Sequence, residues 1–153
     1  MTSRGRWRRL ARELPETVAA GVVAVVVELG LRATTLPKLA RLLRVQLDPA
    51  MTGAGGDLMQ GSATTLSESD CRRVRSTQRV LRRWPFGDTC LRQALVSGTL
   101  LRHRQPVLHL GVAKIDGAIR AHAWLAIGGG ILDPLAAATS YQGLVAPGTG
   151  STP

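Results

Sequence analysis

Ile119-Arg-Ala-His122-Ala-Trp124-Leu-Ala-Ile127, followed directly by Gly128-Gly129-Gly130-Ile-Leu-Asp133, is the stretch that decides how the rest of the chain is read. Its first part has the two-residue period of a strand. The odd positions from Ile119 to Ile127 are all apolar, while His122 and Trp124 share the other face. The glycine run supplies a tight turn, and 130–133 reads as a short returning strand. With Gly128 and Gly129 as a two-residue loop, Asp133 falls opposite Trp124 and diagonal to His122. Diagonal Cβ atoms roughly 7 Å apart allow two such side chains to meet. A three-residue loop would turn Asp133 to the opposite face.

Upstream, Asp116-Gly117 is a second hairpin turn, and the strand period runs back over 107–113, to just after Pro106. Before Pro106 the pattern is helical. Ser67, with Asp70 three residues on, marks a helix start. Cys71, Val74, Gln78, Leu81 and Trp84 then fall on one helical stripe, while Arg72, Arg75, Arg79 and Arg82 fall on another. Pro85-Phe86-Gly87 ends this helix. The next begins near Asp88 or Thr89 and runs to about Arg102. Helices followed by strands predict an α+β fold, with helices packed on a small antiparallel sheet.

The chain of 153 residues has room for one compact domain and an appendage. Four zones are expected: helical 1–45, a flexible linker over 46–66, a catalytic core over 67–145 and a disordered tail over 146–153. Pro15 and Pro37 sit where helices would begin, which predicts helices over 16–32 and 36–44 after a short basic one. The segment 17–28 is apolar all round, so burial is expected; contact of 16–31 with a membrane is the less favoured reading. The run Val18–Val27 is shorter than the roughly 20 residues a bilayer span needs. No secretory pattern is seen, and Cys71 and Cys90 form no disulfide framework. A reducing, cytoplasmic address with free thiols is therefore expected.

A net charge of +10 suits an acidic partner, an anionic membrane or nucleic acid, and equally reflects an arginine-rich composition. Five aromatic residues and the lack of a binding motif argue against a non-catalytic nucleic-acid module. The segment Thr52-Gly-Ala-Gly-Gly-Asp57 lacks the Gly-Lys-Ser/Thr ending of a phosphate loop. His103 and His109 have no metal-ligand spacing with the cysteines and read as surface or core residues. No metal and no cofactor is expected.

Cys90 stands at the first turn of its helix. There, orphan N–H groups and the macrodipole favour a thiolate, and a free backbone N–H is available to an oxyanion. A small buried hydrophobe is the competing reading, and it is preferred for Cys71. Taken alone, a strand His beside Arg120 is better explained by solvent exposure. Facing a helix-borne thiol, however, His122 completes a nucleophile–base pair that Asp133 would orient. Thr89, Gln93 and Gln78 are candidate second oxyanion donors.

Asp88-Thr-Cys90-Leu-Arg-Gln-Ala-Leu, Leu100-Leu-Arg-His-Arg, Leu110-Gly-Val and Ala121-His-Ala-Trp-Leu followed by Asp133 resemble the lasso-peptide leader peptidases. Those are transglutaminase-like maturation proteases of a ribosomal-peptide pathway. The lead-in Glu28-Leu-Gly-Leu-Arg-Ala-Thr-Thr-Leu-Pro-Lys-Leu-Ala-Arg-Leu-Leu is similar as well. His122 lies 32 residues after Cys90, far closer than the well over about 100 of papain-like enzymes. The resemblance implies a transglutaminase/papain-like core, a Cys90–His122–Asp133 triad and leader removal ahead of macrolactam closure by a separate ATP-dependent synthetase. It also implies a separate leader-binding protein, since 1–66 show no such domain with its own strands. Transglutaminase-like acyl transfer or deamidation is the alternative within the same core. Ala126 departs from the pattern, where many relatives carry an acidic residue.

Overall fold

The computed structural model describes residues 3–48, 64–133 and 142–143. Helix α1 (Ser3–Ala33) is followed by α2 (Leu36–Leu43) and β1 (Gln46–Leu47), then α3 (Glu68–Leu81) and α4 (Cys90–Leu100). A 3-10 turn (Arg102–Arg104) leads to β2 (Val107–Ile115), β3 (Ala118–Ile127), β4 (Gly130–Leu132) and β5 (Gln142–Gly143). Among the described residues the sheet runs β1-β2-β3-β4, with β5 also on β2. Among the described strands, only the β1–β2 pair is parallel. The fold is α+β, with helices against a small mixed sheet.

The local signals explain most of these boundaries. Ser67 caps α3, its Oγ accepting the Asp70 N–H at 3.2 Å. Thr89 caps α4 in the same way through the Arg92 N–H, at 3.4 Å. Both hairpin loops have two residues, and all four take positive φ: Asp116 (51°), Gly117 (79°), Gly128 (56°) and Gly129 (82°). That is the twist-matched geometry two-residue hairpins require.

Helix α1 departs from expectation. It runs unbroken through Pro15, where a new helix was expected. A proline already has a helical φ and costs the preceding turn one hydrogen bond. The flanking Arg, Leu, Ala and Glu residues are good enough helix formers to carry the chain across. The all-apolar segment is also only half buried: Ala20, Ala24 and Val27 meet the core, whereas Val18 and Val22 face outward. Gln46 and Leu47, expected to open a linker, instead pair with Val107 and Leu108. Residues 49–63 of the expected linker, and all of 146–153, lie outside the described residues.

One core joins the N-terminal helices to the rest. Val27, Leu39, Leu43 and Val45 pack with Val74, Leu81, Leu95, Val96, Leu101, Leu108, Leu125 and Ile127. The apolar face expected on β3 is buried at Ala123, Leu125 and Ile127 but fails at Ile119, which is 81% exposed. All of Ala118–Ala121, next to the β2–β3 turn, is exposed. Buried Asp70 draws Arg73, His103 and Arg104 around it at 3.6, 3.2 and 3.9 Å, fastening α3 to the end of α4.

Candidate active site

The register of β3 and β4 builds one half of the site. Leu125 pairs with Leu132, Ala126 with Ile131 and Ile127 with Gly130. One more step along this two-residue hairpin puts Asp133 opposite Trp124, as the glycine turn predicted. The His122 Nε2 and Asp133 Oδ2 then meet at 2.9 Å, with both side chains 4% exposed. A carboxylate only accepts hydrogen bonds, so in the tautomer that suits this contact Nε2 donates to Asp133.

Helix α4 builds the other half. Cys90 is its first residue, at the end where backbone N–H groups lack intrahelical acceptors. This end is clamped to α1. Buried Glu28 accepts from Arg92 Nε at 2.8 Å and from Arg32 Nε at 2.9 Å. The Arg32 guanidinium also lies 4.2 Å over the Phe86 ring, in the loop just before Cys90. The Arg92 hydrogen bond, reinforced by both positive charges, outweighs burial and lowers the pKa of the Glu28 carboxyl.

Cys90 and Asp133 line one small cavity with Gln93, Ala94, Ser97, Ala123, Trp124, Leu125 and Leu132. Its volume of about 10 Å³ holds about one water. Residues 90, 93, 94 and 97 share one stripe of α4, which is why the nucleophile candidate, an amide and a hydroxyl open on the same space. Gln93 Oε1 and Ser97 Oγ are buried there with no hydrogen-bond partner among the described residues. Of the candidate oxyanion donors, Gln93 is at the cavity, its Nε2 donating to Asp88 Oδ1 at 2.7 Å. Thr89 is occupied as a cap, and Gln78 lines a different groove, between arginines of α3.

One partner of Trp124, His109, was not foreseen from the sequence. His109 lies opposite Trp124 in the β2–β3 register and stacks on its ring, centroids 5.7 Å apart and planes 10° apart. His122 also stacks on Trp124, at 5.9 Å and 21°. His109 Nδ1 in turn meets Asp48 Oδ2 at 2.8 Å. His109 is therefore part of the packing behind the His122–Asp133 pair. The Asp116-Gly117 turn held the signal for that position. Among the described residues no His, Cys, Asp and Glu cluster suits a metal ion.

Searches of curated proteins and of solved structures found no match. One family model does match, over residues 23–146, and its description is the transglutaminase-like superfamily. That span takes in the last third of α1 and every element after it, including Cys90, His122 and Asp133. Matched over most of its length, with an α+β fold of the kind described, the chain belongs to the transglutaminase-like superfamily, which includes cysteine peptidases and acyltransferases.

Proposed function

We propose that the protein is a cysteine peptidase that removes the leader from a ribosomally made lasso-peptide precursor. Cys90 is the nucleophile, His122 the base and Asp133 the residue that orients the base. The observation that carries this reading is the buried 2.9 Å His122–Asp133 pair beside a cavity that Cys90 also lines. The similarity of the Cys90 and His122 segments to leader peptidases supplies the substrate class.

The chemistry follows from the roles. His122 Nδ1 takes the thiol proton as sulfur attacks the scissile carbonyl, and the oxyanion is met by N–H groups at the start of α4. Collapse breaks the C–N bond, and His122 delivers the proton to the departing amine. Water then hydrolyses the thioester, giving the leader's carboxylate and restoring the thiol. The freed α-amine is the group a separate ATP-dependent synthetase would join to a side-chain carboxylate. A separate leader-binding protein would present the precursor.

Incubation with the precursor and its leader-binding protein tests the reading. The products expected are leader and core peptides whose masses together equal the precursor plus one water, with none from Cys90→Ala. Cleavage by Cys90→Ala at the wild-type rate would overturn it. A mass gain of an added amine less one ammonia, without cleavage, would instead establish acyl transfer.

A further inference from the structure

Leu14, Val18, Val22, Val25 and Leu29 recur every three or four residues along α1, and are 59, 62, 59, 48 and 61% exposed. Val26 lies beside them at 41%. Together they present on the order of 500 Å² of apolar surface, at the upper end for a soluble monomer. Residues 14–33 are apolar enough to cross a membrane, with mean hydropathy 1.8. The opposite face of α1 argues against crossing. Ala24 and Val27 are built into the core, and Glu28 is ion-paired with Arg92 of α4. Spanning a bilayer would strip both from the fold, whereas lying in its surface leaves them in place.

Charge identifies what covers this face. The same helix opens with Arg4, Arg6, Arg8, Arg9 and Arg12 against the single carboxylate Glu13, with Trp7 among them. Helix α3 packs on α1, and Arg75 and Arg79 on it, with Arg82 and Arg83 just past its end, are exposed around an open groove of about 520 Å³. Of the acids further along α1, Glu16 meets Arg72 and Glu28 meets Arg92 and Arg32. A second copy of α1 would offer matching valines but little negative charge for the arginines. We propose that the outer face of α1 docks the protein on an anionic bilayer surface. The valines and leucines enter the acyl boundary, and the arginine-rich first turns supply the charge that headgroup phosphates attract.

Co-sedimentation of the full chain tests this, with vesicles of phosphatidylcholine alone and of an equimolar mixture with phosphatidylglycerol. Binding to the mixed vesicles is expected to be at least about tenfold tighter than to the neutral ones and to weaken with salt. Val18→Asp/Val22→Asp and Arg6→Glu/Arg9→Glu should each weaken it by about tenfold or more while leaving Tm near wild type. Val18→Ser/Val22→Ser repeats the first test without added charge. Equal binding by wild type and all three variants, or none to either vesicle, overturns the proposal. So does a wild-type dimer that Val18→Asp/Val22→Asp converts to monomer without any vesicle binding. None of these outcomes bears on Cys90, so the peptidase reading stands or falls separately.

Discussion

Asp133→Asn strikes the pair on which the catalytic reading rests. The carboxylate accepts from a ring nitrogen 2.9 Å away in a place almost closed to water, so little solvent is at hand to replace it. Asparagine matches its shape but carries no charge, and can turn an N–H toward the ring, which favours the wrong tautomer. A charge-assisted hydrogen bond is worth about 1.5–3 kcal/mol. With the tautomer penalty added, the loss in the transition state comes to about 3–4 kcal/mol, or about 10²–10³ in kcat/KM. Steady-state cleavage of the precursor measures the loss, and ¹⁵N spectra of the His122 ring report which nitrogen keeps the proton. Thermal melting confirms that the variant is folded. A folded Asp133→Asn enzyme with kcat/KM within about threefold of wild type would refute the assignment of Asp133.

Insertion of one glycine inside β4, between Gly130 and Ile131, should abolish cleavage while helical circular dichroism persists, because it turns Asp133 to the other face of the sheet. Gly130→Ala should lower stability by about 1–3 kcal/mol in urea unfolding, since its Cβ would stand 2.6 Å from the Thr64 Cα, a backbone atom that cannot swing aside. Glu28→Gln should lower Tm at neutral pH by unfastening α1 from α4. Because ion pairing lowers the carboxyl's pKa in the fold, its contribution is present above the ordinary glutamate value near 4.5 and is lost as pH falls through the lower folded value. The Tm gap between Glu28→Gln and wild type should therefore close in acid, as differential scanning fluorimetry across pH would show.

The parts of the fold set by neighbouring residues were legible. Caps at Ser67 and Thr89, the two hairpin turns and the alternation of β3 were all written locally, and the glycine turn reached as far as the contact between His122 and Asp133. What stayed hidden depends on residues far apart in the chain. Nothing near Gln46 announces its pairing with Val107, because two residues carry no period. Asp48 consequently could not be tied to His109. Helix α1 has apolar side chains on every face, so its pattern could not say which face the core would take. Pro15 was read by its commonest role, as a first helical residue, and the flanking sequence overruled it.

The two hairpin loops of two residues each leave the ribbon from Val107 to Asp133 with no spare length. An added or lost residue within its strands shifts the phase of the side chains beyond it, so His122 and Asp133 part company or Leu125 leaves the core. Over evolutionary time these strands are free to exchange residues but not to gain or lose a single one. Differences in length among its descendants should accumulate elsewhere in the chain.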